Sequence, residues 1–423
     1  MSTVDGYPLA QATDVAAHFQ VERPLEAADF SEKGNINRDT FAIRSGRSTG
    51  KQKHYLLQRI NQDVFTRPWA VMAAMVASLE AQRRSIERGR LPAGREWDVV
   101  TLIPTTDGQP CLELREDGRT TYWRLMEEIQ GGRAFKSLSE VDDRARQLEV
   151  AEEAGGGLAI YSDLTADMDT SNLDSPLPGY RDTLTYYNQL KSVLNENRTL
   201  EDAAPFLPRD DVVRQSTEQH FLLHSPLSEC RQRRDAPDVK RAVELILRSE
   251  DFAMTLFHAV EEGRIRKVAI HGDTKLDNFL FSIETGKVKA LVDLDTIMPH
   301  TRLVDWGDTV RSLVNVAGER EADLDKVQVD LEAYEAIVRG FLSTAREFTD
   351  DEVGLMVEGV EIAALELAMR FLTDYLRGDN YFGVGPKDPP ELNKIRALAQ
   401  LTLFERLRQN RDHIRRLIET SSS

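Results

Sequence analysis

The sequence predicts an α+β chain, with a small N-terminal antiparallel β-sheet carrying one helix and a larger, mostly helical C-terminal part. Three observations lead there. Up to Gly131–Gly132 the pieces run strand, strand, helix, strand, strand, strand, each bounded by turn residues. Beyond that pair, apolar residues recur mainly at three- and four-residue spacing. Within the helical part, one short strand–loop–strand unit over residues 266–296 interrupts the texture.

In order, residues 1–25 read as an extension with one short helix from Asp14 to Phe19. The Gly34–Asn35 turn leads into a strand at Thr40 to Ile43, and HYLLQRI supplies the second strand. Pro68 opens a helix in which Met72, Met75, Val76, Leu79 and Ile86 recur at helical spacing, with Gly89 as its stop. DVVTLIPT and CLELRED read as two strands joined by a DGQP turn, and RTTYWRLMEEI is the fifth strand. Residues 139–154 fit one helix. Residues 155–180, rich in Gly, Ser, Asp and Pro, read as a loop. Helices follow near 181–195, 209–223 and 236–263, and again from Leu303; the last, after Pro389–Pro390, repeats Ile395, Leu398, Leu401, Phe404 and Leu407. This divides the chain into an N-terminal lobe, 1–129, and a C-terminal lobe, 130–423.

Composition narrows the class. Of 423 residues, 41% are hydrophobic and 30% charged, enough for a sizeable core and against disorder. Acidic residues outnumber basic ones 71 to 54, for a net charge of −17, which opposes binding of nucleic acid or anionic membrane through bulk charge. Two cysteines suit a reducing compartment. No apolar run approaches the roughly 18 residues of a membrane span, and the first residues lack a basic region followed by an apolar core. The expectation is a cytoplasmic protein, monomeric or weakly dimeric, acting on a small molecule.

The candidate chemistry centres on His271-Gly-Asp273, with Asn278 five residues on and Asp293 at the end of the apolar strand KALVDLD. Phosphoryl transfer from ATP needs a carboxylate to orient the attacking hydroxyl, and hard oxygen ligands for Mg²⁺ on neighbouring strand ends. Asp273 suits the first role; Asn278 and Asp293 suit the second. Singly, each motif is most often a solvated turn. The three together are more specific.

The arrangement resembles the aminoglycoside phosphotransferase and choline kinase superfamily, whose signature is HGD, then Asn, then a strand ending in Asp; the protein kinases are distant relatives. GNINRDTF, YLLQRINQDVF, YWRLMEEIQGGRAF, HGDTKLDNFLF, ALVDLDTIMP, VDWGDTVRSLVN and TDYLRGDNYF are more narrowly similar to N-acetylhexosamine 1-kinases. The resemblance implies a protein-kinase-like two-lobe fold, with ATP and Mg²⁺ as cofactors. Asp273 becomes the base, Asn278 and Asp293 the metal ligands, and His271 a brace; Asp295 either assists the metal or braces the turn, and Asp305 braces the loop. Gly34, Asn35 and Asn37 correspond to the phosphate-covering turn. Arg59, with Gln58 its rival on the other strand face, stands where a phosphate-binding lysine is usual, and Glu80 is the carboxylate to pair with it. Glu127 and Ile129 mark the adenine hinge. For the acceptor, Asp308, Arg311 and Asn315 are candidates, the last two placed on one helical face by their spacing, along with Asp374, Tyr375 and Tyr381. Lys275 is open to either the γ-phosphate or solvent.

The implied reaction is transfer to the anomeric hydroxyl of a hexose or N-acetylhexosamine. An aminoglycoside or amino-alcohol acceptor is the second reading. A nucleotide-binding regulatory protein without transfer activity is the third, supported by the missing strand lysine. A helical scaffold or nucleic-acid binder leaves the metal-type turns unexplained.

Overall fold

The computed structural model describes residues 8–31, 36–46, 52–116 and 118–421. Its N-terminal sheet is antiparallel: β1 (Leu25–Asp29), β2 (Thr40–Ser45), β3 (Lys53–Arg59), β4 (Leu102–Ile103), β5 (Leu112–Glu116) and β6 (Arg119–Glu127). The order is β1-β2-β3-β6, and β4 and β5 both lie along the far edge of β6. Alternation puts Phe41, Ile43, Tyr55, Leu57, Trp123 and Leu125 on one face. They form a small core with Ala12, Val15, Ala16 and Phe19.

The sheet departs from expectation in three places. Strand β1 is not predicted by the sequence, which places an extension at residues 1–25; it pairs Leu25–Asp29 with Phe41–Ser45, and as a mostly exposed edge strand it has no apolar alternation to betray it. The first helix spans Leu9–Ala16, earlier than Asp14–Phe19, and Phe19 instead bridges Thr105. The strands read at 98–105 and 111–117 are two halves of one edge. Leu102–Ile103 meets Leu125–Met126 and Leu112–Glu116 meets Arg119–Trp123, so the DGQP turn joins two segments that both pair with β6 rather than with each other.

In the C-terminal part, β7 (Gly132–Arg133), β9 (Phe279–Ser282) and β10 (Val288–Leu291) form one small sheet, and β8 (Val268–Ile270) pairs with β11 (Met298–His300). The residues read as a loop from 155 are helix as far as Thr165, within Arg144–Thr165. The glycine run is a packing face. A Cβ on Gly155 would stand 2.2 Å from the Ile337 carbonyl oxygen, one on Gly340 1.8 Å from that of Glu152, and one on Gly157 2.5 Å from Val288 Cγ1. The helices Arg144–Thr165 and Leu331–Leu342 therefore touch backbone to backbone.

The larger core runs from Ile60 to Ile418 and takes in Val71, Met72, Met75 and Leu79 of the helix Pro68–Glu87. That helix lies early in the sequence but is buried with the C-terminal helices. Cys111 and Cys230 are buried free thiols. No helix among the described residues is long and apolar enough to cross a membrane.

Candidate active site

Strand β8 ends at Ile270, and the next residues turn sharply. Gly272 has φ +85°, and a Cβ there would lie 2.6 Å from the Thr296 carbonyl oxygen, so only glycine makes this turn without strain. Asp305, on the helix Leu303–Val314, holds the turn by accepting from the His271 N–H (2.7 Å) and the Gly272 N–H (2.8 Å). Burial pushes the Asp305 carboxyl up to about 7 against the pull of those two donors. His271 is fully buried and its Nε2 donates to the Val292 carbonyl at 2.8 Å, which ties the loop to the end of β10. Burial lowers the His271 pKa, so the ring is neutral. Arg181 Nη2 and the Tyr180 hydroxyl donate to the Gly272 carbonyl at 2.9 and 3.2 Å.

Asp273 is thereby presented at the mouth of the site, its side chain 26% exposed. Lys275 Nζ lies 2.9 Å from Asp273 Oδ2. Asn278 Nδ2 donates to the Asp273 carbonyl at 2.7 Å, which leaves Asn278 Oδ1 as an uncommitted oxygen among the described residues. Burial works against the Lys275 charge, but the carboxylates of Asp273, Asp277 and Asp293 outweigh it and hold the ammonium above its ordinary range.

Asp293 follows β10 in the left-handed region, φ +63° and ψ 56°. Water reaches its side chain, yet the walls around it, and then the carboxylates of Asp295 and Asp273, raise the Asp293 carboxyl to about 7. Crowding of this kind is what a divalent cation relieves. The available donors are Asp293 and Asn278 Oδ1, all oxygen, and fit a hard cation such as Mg²⁺.

Asp295 faces the other way. It is 2% exposed, paired with Arg124 through Oδ1, and accepts from Asn37 Nδ2 through Oδ2 at 2.6 Å. Arg124 also donates to Gln58, its register partner on β3. The sequence did not single out Arg124. Its one signal is a lone arginine inside the apolar run YWRLM.

The predicted nucleotide residues separate. Gly34 and Asn35 lie outside the described residues. Asn37 is buried, with Oδ1 accepting from the Asn61 N–H at 2.9 Å. Arg59 is paired with Asp39 and is not a free cation facing the metal residues, a correction to its expected role; the cation there is Arg124. Glu80 pairs with Arg84 on its own helix, at 3.4 Å, and does not reach the strand. The Glu127 N–H is bonded to the Thr101 carbonyl, whereas the Ile129 backbone has no partner among the described residues.

The predicted acceptor residues need a larger correction. Asp308 lies between Arg311 (Nη2, 2.7 Å) and Arg181 (Nη2, 2.8 Å), and Arg311 Nη1 reaches Glu319 at 2.8 Å. All three members of the Arg181–Asp308–Arg311 group are buried, so their charges are spent on each other. Asn315, the cap residue after Val314, is buried in an isolated bridge with Val329, and its amide has no hydrogen-bond partner among the described residues. Tyr375 is buried, with Arg233 4.5 Å from its ring centroid and its hydroxyl on Glu391 at 3.2 Å.

Another arginine stands beside the loop instead. The Arg370 guanidinium carbon lies 5.1, 5.1, 5.8 and 5.2 Å from the ring centroids of Tyr180, Tyr186, Tyr381 and Phe382. It makes no ion pair among the described residues. Tyr180 connects the cage to the Gly272 carbonyl, and both Asp273 and Arg370 act on its hydroxyl. Asp374 accepts from the N–H groups of Asn380, Tyr381 and Phe382 at 3.1, 2.9 and 2.9 Å, which fixes the turn that delivers the last two rings. The sequence named Asp374 and Tyr381 but not Arg370, because one arginine in an apolar helix reads as a stem snorkelling to solvent.

Solved structures similar to this chain include a microcompartment-associated aminopropanol kinase (14% identity, covering 96% of this chain and 99% of that one, TM-score 0.54). Another is an amicoumacin kinase in complex with AMP-PNP and Ca²⁺ (11% identity, 93% of each chain, TM-score 0.51). At these identities the likeness speaks to the fold, a protein-kinase-like arrangement of a small sheet and a larger helical part. Residues 107–340, more than half of the chain, match the family described as the phosphotransferase enzyme family, APH. The chain belongs to that phosphotransferase family.

Proposed function

We propose that the protein transfers a phosphoryl group from Mg²⁺-bound ATP to the anomeric hydroxyl of a hexose or N-acetylhexosamine, giving the sugar 1-phosphate. Asp273, Lys275, Asn278 and Asp293 converging on one mouth is the observation that carries the phosphotransfer reading. Asp273 Oδ1, without a partner among the described residues, accepts the acceptor's proton and aims its oxygen. Asn278 and Asp293 hold the cation, which neutralises the charge developing on the transferred group. Lys275 is placed to follow the γ-phosphate. Residues 1–129 form the nucleotide lobe with 1–25 as its extension, and 130–423 carry the catalytic and acceptor groups. Backbone at Ile129, rather than at Glu127, meets adenine.

The structural neighbours named above are an aminopropanol kinase and an amicoumacin kinase, the latter solved with AMP-PNP and Ca²⁺, which supports nucleotide and divalent-cation use. Arg370 favours the sugar over an amine. A cationic acceptor meets a guanidinium that makes no ion pair among the described residues, whereas a sugar offers oxygens to its N–H groups and a ring face to the exposed Tyr381. An aminoglycoside or amino alcohol is the alternative acceptor.

The test is a panel of hexoses, N-acetylhexosamines, aminoglycosides and amino alcohols incubated with Mg-ATP, read by ADP release and by phosphorus NMR of the product. An anomeric phosphate signal is expected. A 6-phosphate or an alkyl phosphate overturns the 1-kinase reading. Nucleotide binding without turnover on any acceptor points to a regulatory protein.

A further inference from the structure

We infer that the Asn37–Asp295–Arg124 cluster is a lock that sets the metal carboxylate Asp293 in register with the nucleotide-covering strands. It takes the place of the strand-to-helix ion pair expected between Arg59 and Glu80. This rests on the phosphotransfer reading of the site and deepens it.

Four separate pieces of chain meet at the lock. Asn37 stands just before β2 and is held twice: Nδ2 donates to Asp295, and Oδ1 accepts from the Asn61 N–H just beyond β3. Thr40 donates to the Asn37 carbonyl at 2.8 Å and accepts from Gln58 Nε2 at 3.1 Å. Gln58 Oε1 accepts from Arg124 on β6. Arg124 pairs with Asp295, two residues past Asp293, and lies 3.5 Å from Met75 Sδ on the helix Pro68–Glu87. Arg124, Asp295 and Asn37 are all at least nine-tenths buried. Both Asp295 oxygens are committed, so Asp295 is a positioning residue rather than a metal ligand. A buried pair of this kind contributes little net stability, but removing one partner strands the other charge. Its yield is geometric, because the sheet cannot shift against the 293–296 turn without breaking it. The strand-to-helix route is absent, since Arg59 pairs with Asp39 and Glu80 with Arg84.

The experiment compares the full-length protein with Asn37→Ala, Arg124→Gln and the double variant. Affinity for Mg·AMP-PNP is measured by calorimetry without acceptor, then the KM of the best acceptor by ADP release, and thermal unfolding alongside. Each single variant is expected to weaken Mg·AMP-PNP on the order of 10-fold, the coupling usual within one hydrogen-bonded network. The double variant should lose little more than the worse single, and acceptor KM should stay within about two-fold. Asn37→Ala leaves the Arg124–Asp295 pair in place and is expected to melt within about 2 °C of wild type, so it serves even if Arg124→Gln does not fold. Unchanged Mg·AMP-PNP affinity in folded Asn37→Ala, losses that multiply in the double variant, or an equal loss for nucleotide and acceptor overturns the lock. Those results in an active wild-type kinase sink the lock alone; a wild-type protein that binds no Mg·AMP-PNP sinks the phosphotransfer reading with it.

Discussion

Two arginine-centred clusters flank the 271–278 loop, and they differ in what neutralises them. Arg181 and Arg311 share the carboxylate of Asp308, and Arg311 also reaches Glu319. Arg370 is surrounded by aromatic rings and makes no ion pair among the described residues. The first cluster has spent its charges on itself and on Glu319, and it supports the Gly272 carbonyl through Arg181. The second holds its cation by π faces, which take charge but few N–H donors, and so keeps donors for a ligand. Glu366 sharpens the contrast. It precedes Arg370 by one helical turn, yet it accepts from Thr183 and makes no ion pair with the arginine.

The largest effect is expected in the paired cluster. Asp308→Ala leaves Arg181 and Arg311 buried without their shared carboxylate and is predicted to cost about 3–5 kcal/mol of stability in denaturant unfolding. A loss under 1 kcal/mol would remove the distinction between the clusters. Asp273→Asn, between them, should lower turnover by at least about 10² with nucleotide affinity retained. Asp277→Asn should leave turnover within a few-fold; equal damage from both would reassign the base.

Glu366 tests the boundary through pH. Burial first, against Thr183 and the two arginines, raises its carboxyl from 4.5 to about 7. The folded state therefore binds this proton more tightly than the unfolded one. The resulting stabilisation is complete below about 4.5 and is lost as pH rises through 7. Wild type should lose on the order of 2–3 kcal/mol between pH 5 and 8 from this group, and Glu366→Gln should not. Parallel melting curves for the two proteins would show that Glu366 is ionised and offsets Arg370. The smallest effect is Arg370→Met, predicted to raise sugar KM about 10-fold, the worth of one charged hydrogen bond, with kcat within about three-fold and amino alcohols newly accepted. An unchanged KM makes Arg370 a packing residue.

The 271–278 loop was legible because its candidate groups lie close together in the chain: HGDTKLDN and KALVDLD carry Asp273, Asn278 and Asp293 at the ends of three strands, β8, β9 and β10. The alternating strands β2, β3 and β6 were legible for a similar reason, since period-two burial writes itself into the sequence. What failed were decisions made by partners distant in the chain. Whether Arg59 or Arg124 faces Asp295 depends on pairing across 171 residues. Arg311 and Asp308 looked available for a substrate because the residue that closes their cluster, Arg181, lies 127 residues before Asp308 in the chain. Gly155–Gly157 suggested a loop by composition and proved to be helix because another helix needs the space.

The helix Pro68–Glu87 shares the large core while the strands around it share the small one. That division sets which parts of the protein open together. Hydrogen exchange from this helix should proceed through the same cooperative opening as the C-terminal helices. Amides of β1 and β2 should exchange earlier, through a smaller sub-global opening that leaves the helix and the 271–278 loop protected. The nucleotide side would then breathe by lifting the sheet from a helix that stays behind.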